Sequence, residues 1–199
     1  MFKPIRLEGA GIVLRSVEAR DLESIRQMFN NPQTMKYLQE MTKPKGWTMA
    51  DIEERHQRRH SRELNGELIQ FIVEDSKTGE FLGTSGFPTL NLKNKTAERG
   101  LILLPNSWGK GVYTAVNWLT LQYAYETLKI ETVEFDTHPE NTATIHFLNK
   151  IGATLETDRP KFIVINGENV PRVIFTLHIS QWPVVKEKIR SMLQTKGRL

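Results

Sequence analysis

The chain has 199 residues, which predicts one domain over residues 1–199 that buries roughly 70–75% of the surface its unfolded form exposes. With 39% hydrophobic residues and a mild net charge of +4, the composition excludes a disordered, collagen-like or low-complexity chain. Cysteine is absent, which excludes disulfides, thiolate metal sites and cysteine nucleophiles, and no apolar run is long enough to cross a membrane, so we expect a soluble, cytoplasmic protein with no membrane partner.

The first part of the chain combines strand and helix patterns without a linker or an internal repeat. A strand over residues 12–17 is followed by apolar residues at helical spacing over residues 22–29. Thr48 and Asp51 resemble a capping box that opens a polar helix running toward Leu64. The next predicted strands, which indicate an antiparallel start to the sheet, cover residues 69–74, 81–90 and 96–104.

The pattern changes after Pro105, where two apolar stripes predict a long helix buried on two sides. Residues 132–137 then read as a strand. Asn141 suits the N-cap of a following helix, and Gly152 suits its C-terminal end. The sequence therefore predicts a strand-helix-strand-helix unit in the second half of the chain.

The last part of the chain predicts a hairpin and a helix. Asn166 and Gly167 suit a turn between strands at residues 162–165 and 173–177, in a loop longer than two residues, and a helix follows Trp182.

Basic residues are concentrated at residues 55–62 and 186–198, both with helical character. A solvated helix face explains each stretch, and an anionic partner is the alternative.

The segment that most indicates a binding site is Gly109-Lys110-Gly111, which lies between a predicted strand and the long helix. Glycines at alternate positions allow close approach of a phosphate to the backbone, and the free N–H groups at a helix N-terminus attract anions. The segment lacks the Walker pattern and the third glycine of a dinucleotide fingerprint. These three residues alone leave two interpretations open, an anion site and a tight turn without a ligand.

In its surroundings the loop resembles that of the GNAT acyltransferases, and within them the RimJ/RimL-like N-acetyltransferases. The family pattern is [Gln/Arg]-x-x-Gly-x-[Gly/Ala], and the subgroup often reads Trp-Gly-Lys-Gly, as in Asn106-Ser-Trp-Gly-Lys-Gly111. Asn106 departs from the pattern, which weakens a side-chain contact and leaves the backbone groups unchanged. The subgroup's preceding strand often reads Ala-Glu-x-Gly, and here it reads Ala97-Glu98-Arg99-Gly100.

A second motif of the family is Asn-x-x-[Ser/Ala] followed by Lys-x-Gly-Phe. It corresponds here to Asn141-Thr-Ala-Thr144 and Lys150-Ile-Gly-Ala153, with Thr144 and Ala153 as the departures. The resemblance extends from the strand at residues 12–15 to Gln181 and Trp182.

The resemblance implies an α/β (α+β) fold, the GNAT acyl-CoA N-acyltransferase fold. Its mixed, mostly antiparallel sheet has a central splay and is flanked by helices. It implies acetyl-CoA as co-substrate and no metal. The pyrophosphate would lie on backbone N–H groups from Trp108 to Thr114, and the pantetheine would follow the strand ending at Leu103. The implied acetyl-CoA contacts are Leu101, Ile102, Leu103, Asn106, Trp108, Gly109, Lys110, Gly111, Val112, Tyr113, Thr114, Asn141 and Lys150.

Two side chains are the catalytic candidates. Glu98, on the strand that leads to the loop, could accept the amine proton directly or through a water, and an ion pair with a nearby arginine is the structural alternative. Thr144 could donate a hydrogen bond to the departing thiolate, and helix capping is its alternative. Many GNAT enzymes have a tyrosine four residues further on, where this chain has Leu148, so tyrosine acid catalysis from that position is excluded.

The acceptor side is less defined. Tyr37, Trp47 and Phe87 could line its pocket, and core packing explains these aromatic residues equally well. His138 could act as a base at the cleft mouth, and a solvent-facing turn is the simpler interpretation. His56 and His60 have metal-ligand spacing without a third ligand.

The favoured function is transfer of an acetyl group from acetyl-CoA to a primary amine of a peptide or small molecule by direct attack in a ternary complex. An α-amine is favoured over a lysine side chain because its pKa, about 7.7–8.0 against about 10.4, leaves more of it neutral. A catalytically inactive CoA-binding module is the alternative, and a ribosome- or nucleic-acid-binding protein is a weaker one. The sequence leaves a homodimer open.

Overall fold

The computed structural model describes residues 4–165 and 167–199. Its centre is an eight-stranded sheet in which spatial order follows chain order except that the last two strands are exchanged. The strands are β1 (Arg6–Gly9), β2 (Ile12–Arg15), β3 (Ile69–Asp75), β4 (Phe81–Asn91), β5 (Thr96–Leu103), β6 (Thr132–Thr137), β7 (Thr154–Ile165) and β8 (Glu168–His178), in the order β1-β2-β3-β4-β5-β6-β8-β7.

Five α-helices of the described chain flank the sheet: α1 (Leu22–Phe29), α2 (Met49–Leu64), α3 (Val112–Gln122), α4 (Thr142–Ile151) and α5 (Trp182–Thr195). Their ends follow local chemistry. The Thr48 hydroxyl and the Asp51 carboxylate form the expected capping box of α2, Asn141 caps α4, and Gly152 ends α4 in the left-handed region at φ 89°.

The helices form two layers. One apolar cluster joins α1 and α2 to a sheet face that includes Ile72 and Ile102. A larger cluster joins α3, α4 and α5 to residues such as Leu103 and Phe135. Because successive strand residues point to opposite faces, β5 has one side chain row toward α1 and α2 and another toward α3.

The sheet splits in the middle. Strands β5 and β6 are its parallel pair, and their pairing runs from Thr96–Thr132 to Arg99–Phe135. Beyond Arg99, β5 stays paired with β4 as far as Leu103, while the end of β6 stays paired with β8. The mixed sheet with a central splay is therefore confirmed.

Several details differ from the sequence-based expectations. Strand β1 was not predicted, because its partly exposed sequence Arg-Leu-Glu-Gly is not an apolar run. The helix after Pro105 gives way to a π-helical turn at Tyr123–Thr127. Strands β7 and β8 are longer than expected, and Ile165 pairs with Glu168, so the connection is shorter than predicted. The hairpin residue Asn166 lies outside the described residues. Among the described helices, none is long and apolar enough to span a membrane.

Candidate active site

The splay leaves one edge of β5 open for an extended ligand. The Leu104 N–H donates to the Leu82 carbonyl at 2.9 Å, so this residue's backbone groups face β4. Because backbone groups alternate in direction along a strand, those of Leu101 and Leu103 face the splay. Those of Ile102 face β4, and its side chain belongs to the α1 and α2 cluster. Thus the backbone of Leu101 and the N–H of Leu103 face an added strand-like arm, whereas the backbone of Ile102 faces β4 and its predicted contact with the cofactor has no support from this geometry.

The glycine loop, residues 109–111, lies at the open end of the splay. Gly109 and Gly111 have φ values of 72° and 76°, which side chains disfavour. Helix α3 begins at Val112, and its first backbone bond runs from the Ala115 N–H to the Gly111 carbonyl at 3.0 Å. The N–H groups of residues 112–114 therefore have no acceptor within the helix and, with the positive end of its dipole, can bind an anion.

Trp108 and Asn106, which precede the loop, were expected to contact acetyl-CoA, but their polar groups have partners within the protein. The Trp108 N–H donates to the Pro105 carbonyl at 3.1 Å, so it is not available to a pyrophosphate. The Trp108 indole instead donates to the Leu103 carbonyl at 3.0 Å, across the mouth of the splay. The Asn106 amide donates to the Glu80 carboxylate at 2.8 Å, away from the loop. Neither the Trp108 N–H nor the Asn106 amide is therefore free for the predicted contact with a pyrophosphate, and the contacts from Gly109 onward remain a prediction.

Helix α4 contacts Tyr113 of α3 through Thr144 in its first turn and Phe147 near its middle. Tyr113 of α3 packs edge-on against Phe147, with ring centroids 5.0 Å apart. Burial raises the pKa of the Tyr113 phenol, and an interaction with the Thr144 side chain opposes that rise. Lys150 is nine residues after Asn141, about 13 Å along the helix, and is exposed. The structure therefore groups Asn141, Thr144 and Tyr113 and does not bring Lys150 to them, so a cofactor contact by Lys150 is not supported.

Arg99 is the last β5 residue paired with β6, and its guanidinium lies on the α3 side of the sheet. The residue is only 5% exposed. Its Nε donates to the Thr120 hydroxyl at 3.0 Å, and Nη1 contacts the Gly86 and Gly100 carbonyls. Burial lowers the pKa of Arg99 to about 10. Among the described residues no carboxylate pairs with it, and its Nη2 has no partner.

A polar row on α3 accompanies this buried cation. Tyr113, Asn117 and Thr120 follow the i, i+4, i+7 spacing of one helix face. Asn117 is 1% exposed, and its Oδ1 has no partner among the described residues. The sequence pattern predicted the two apolar stripes of this helix and gave no prediction for the polar row between them. The row places buried polar groups on the α3 side of β5, next to Arg99.

Glu98 points to the opposite face of β5 from Arg99. Its carboxylate accepts a hydrogen bond from the Thr89 hydroxyl at 3.1 Å, and the residue is half-buried. Glu134 of β6 is its register partner. Lys161 bonds Asp136 at 2.7 Å and lies 3.7 Å from Glu134. Desolvation lowers the pKa of the Lys161 ammonium, but the carboxylates of Asp136, Glu98 and Glu134 raise it by more, so the pKa lies above its usual value.

A shallow cavity, with room for little more than one water molecule, adjoins this acidic face. Its lining includes Tyr37, Glu40, His138 and Arg172. Tyr37 stacks on His138 with ring centroids 5.5 Å apart. The Arg172 side chain, which is only 5% exposed, bonds the Asp136 carboxylate at 2.5 Å and lies 3.9 Å from Glu40. Carboxylates therefore surround the α1 and α2 side of the splay, with two cations among them.

The other aromatic candidates lie elsewhere. Trp47 packs on Phe29, 5.1 Å between ring centroids, and its indole donates to the Met41 carbonyl at 2.8 Å. Phe87 is fully buried in the cluster that includes α3. Only Tyr37 of the three lines the cavity described above, and core packing accounts for Phe87.

His56 and His60 stack with ring centroids 6.1 Å apart, and no group of three possible metal ligands occurs in the described chain. The basic stretch around them is not simply solvated. Arg55 lies over the Phe29 ring at 4.9 Å, and burial lowers its pKa to about 9. Arg59 bonds Gln70 of β3. These contacts direct part of the stretch toward the protein interior.

The comparison with protein families decides the class. Residues 12–154 match the acetyltransferase (GNAT) domain. The chain belongs to the GNAT acetyltransferase family. This confirms the family resemblance and the fold, and it makes the protein an acyltransferase.

Several relatives share most of this length. Spermidine N(1)-acetyltransferase of Escherichia coli K12 is 27% identical over 157 residues, 79% of this chain and 80% of the relative. An uncharacterized N-acetyltransferase, p20, of Bacillus licheniformis is 28% identical over 140 residues, 70% of this chain and 77% of the relative. The Vibrio cholerae spermidine N-acetyltransferase in complex with CoA and spermine has a TM-score of 0.75 at 21% identity, covering 88% of this chain and 99% of that one.

Proposed function

We propose that this GNAT protein transfers the acetyl group of acetyl-CoA to a primary amine by direct attack in a ternary complex, in the manner of the RimJ/RimL-like subgroup. The observation that carries the proposal is the splay, which leaves the open edge of β5 leading to the glycine loop. The pyrophosphate binds the N–H groups after Gly109, and the pantetheine amides bond the backbone of Leu101 and the N–H of Leu103. Asn141 and Thr144 face the arm from α4.

The chemistry uses both faces of β5. An amine arriving from the α1 and α2 side meets Glu98, which accepts its proton directly or through a water. The Leu101 N–H, directed into the splay, polarises the thioester carbonyl and stabilises the oxyanion of the tetrahedral intermediate. As the C–S bond breaks, the thiolate of CoA leaves toward Thr144. The nitrogen thus gains the acetyl group, and its lost proton is on Glu98.

Two acceptor classes follow from different observations. The pKa of α-amines favours a protein N-terminus or small amino compound over a lysine side chain. The carboxylates Glu40, Glu98, Glu134 and Asp136 favour an acceptor with more than one positive charge, and the spermidine acetyltransferases among the relatives support that choice. A polyamine is therefore the second candidate acceptor.

The test is a comparison of kcat/KM for three acceptors measured by release of free CoA. They are a peptide with a free N-terminus, the same peptide with a blocked N-terminus and one lysine, and spermidine. We expect the free N-terminus or spermidine to exceed the blocked peptide by at least about tenfold. Equal values for the two peptides contradict the α-amine preference, and a spermidine value below both contradicts the polyamine candidate.

A further inference from the structure

The C-terminal turn of the chain touches the glycine loop. The α5 helix ends at Thr195, and the Arg198 N–H returns to the Leu193 carbonyl at 3.0 Å while the Gly197 N–H returns to the Gln194 carbonyl at 2.9 Å. With Gly197 at φ 64°, this is a Schellman motif, which reverses the chain direction. The reversal directs the Arg198 side chain back over the start of α3.

The Arg198 guanidinium bonds two backbone carbonyls from distant parts of the chain. Its Nε donates to the Lys110 carbonyl at 2.6 Å, and its Nη1 donates to the Ala10 carbonyl at 2.8 Å. Ala10 belongs to the turn between β1 and β2. The contact is close enough that a Cβ placed on Gly111 would lie 3.1 Å from the Arg198 Cδ and Nε. Arg198 therefore fixes the glycine loop to both ends of the described chain.

The bond to Lys110 determines where the next N–H points. The Lys110 carbonyl and the Gly111 N–H belong to one planar trans peptide, so they point in opposite directions. A guanidinium holding the carbonyl on one side keeps the N–H on the other side. Without it, this peptide can rotate readily, because Gly111 accepts φ values of either sign. The rotated peptide would direct a carbonyl oxygen where the N–H had been, which reverses the local partial charge.

We propose that Arg198 is a positioning residue for acetyl-CoA: by holding the Lys110 carbonyl it keeps the Gly111 peptide in the orientation that binds the pyrophosphate. The proposal rests on the proposed function. Both Arg198 and Ala10 lie outside residues 12–154, so the device is additional to the matched family domain. It acts on affinity for CoA and leaves the groups that perform acetyl transfer unchanged.

The experiment measures CoA binding by calorimetry for the wild type and for Arg198→Met, which keeps an unbranched side chain and removes the donors. We expect Kd to rise about tenfold, equivalent to about 1.4 kcal/mol, with kcat at saturating acetyl-CoA changed less than about twofold. Arg190→Met is the matched control, because Arg190 is an exposed cation of the preceding helix α5, 3.9 Å from Glu187. We expect that control to bind CoA like the wild type.

Two further readouts separate positioning from simple attraction. At about 0.5 M salt, where the screening length is about 4 Å, a loss of positioning persists and a loss of long-range attraction disappears. Arg198→Lys keeps the charge but cannot bridge both carbonyls, so we expect it to bind several-fold more weakly than the wild type. It also provides the test if Arg198→Met does not fold.

Wild-type affinity in folded Arg198→Met or in Arg198→Lys overturns the inference, as does recovery of affinity at high salt. These results leave the proposed function standing. Failure of the wild type itself to bind CoA overturns the proposed function, and the inference with it.

Discussion

Glu98 and Arg99 show how neighbouring residues acquire opposite roles from strand geometry. The carboxylate faces the acidic α1 and α2 side, and the guanidinium is buried beneath α3. A motif in the sequence identified Glu98. Arg99 could also have been noticed, because it alternates with Ala97, Leu101 and Leu103 on the apolar row of β5. The burial of its guanidinium with Nη2 unpartnered, however, depends on the packing of α3, which the sequence pattern does not specify.

The first residue-scale prediction concerns Glu98→Gln. The amide cannot accept the amine proton, so we expect kcat to fall about 100-fold while the Kd for acetyl-CoA stays within about twofold. Steady-state kinetics and calorimetry supply the two measurements. An unchanged kcat would assign Glu98 a structural role, in which it accepts a hydrogen bond from the Thr89 hydroxyl.

The second concerns Thr144→Ala, which we expect to lower kcat less than Glu98→Gln does. Water can solvate a leaving thiolate whose ordinary pKa is about 8.5, whereas proton removal from the amine has fewer substitutes. The substitution also removes the Tyr113 contact. Rates of both variants are measured with the same acceptor at saturating acetyl-CoA. The opposite order would make Thr144 the principal catalytic side chain.

At the scale of elements, the glycine loop and the start of α3 form one unit, whose backbone N–H groups are the proposed pyrophosphate site. Sequence spacing predicted the strand, the loop and the start of the helix. It could not show that the Trp108 N–H is used by Pro105, because the short helical turn at Pro105–Ser107 was not apparent. Likewise, the sequence does not show that the backbone of Ile102 faces β4, because this depends on the register in which β4 and β5 pair.

Gly111→Asp tests this unit. A carboxylate here repels the pyrophosphate, and its Cβ would lie 3.1 Å from Arg198 at a residue with φ 76°. We expect CoA affinity to fall by at least about 100-fold in calorimetry. Gly111→Ala is the matched control, since it introduces the same Cβ and backbone strain without the charge, and it should lose less affinity. Unchanged affinity in a folded Gly111→Asp variant would reject this loop as the pyrophosphate site.

The capping box of α2 gives a pH-dependent prediction. Bonds from Lys43, then from the Thr48 backbone and hydroxyl, lower the pKa of Asp51 from 3.8 to about 2. The folded state therefore favours the ionised form, so the stabilisation is complete above pH 3.8 and is lost as pH falls toward about 2. We expect Asp51→Asn to melt below the wild type at neutral pH, with the difference narrowing across that window.

Thermal unfolding over pH measures this difference. Glu54→Gln is the control on the same helix, because Glu54 is an exposed partner of Arg58 at 3.7 Å and has no capping contact. That variant should melt close to the wild type throughout. A constant difference between Asp51→Asn and the wild type down to about pH 2 would contradict the assignment.

On the scale of the whole molecule, distant segments converge on the splay. The turn at Ala10, the glycine loop and the C-terminal turn at Arg198 meet at one end. The sequence indicated the mixed sheet and the order of the later elements, because each has a local pattern. The basic tail was interpreted mainly as a solvated helix face. Its contact with the glycine loop could not be predicted, because Arg198 and Lys110 are 88 positions apart and no local pattern connects them.

The measurement that most directly tests the proposed function is parallel quantification of free CoA and acetylated amine by mass spectrometry. Purified protein is incubated with acetyl-CoA and an acceptor panel of N-terminal peptides, small amino compounds and polyamines, with an incubation lacking amine as control. We predict equal molar amounts of both products with at least one acceptor class, and little CoA release without amine. CoA binding with no acetylated product from any class would contradict the account and favour a CoA-binding module without catalysis.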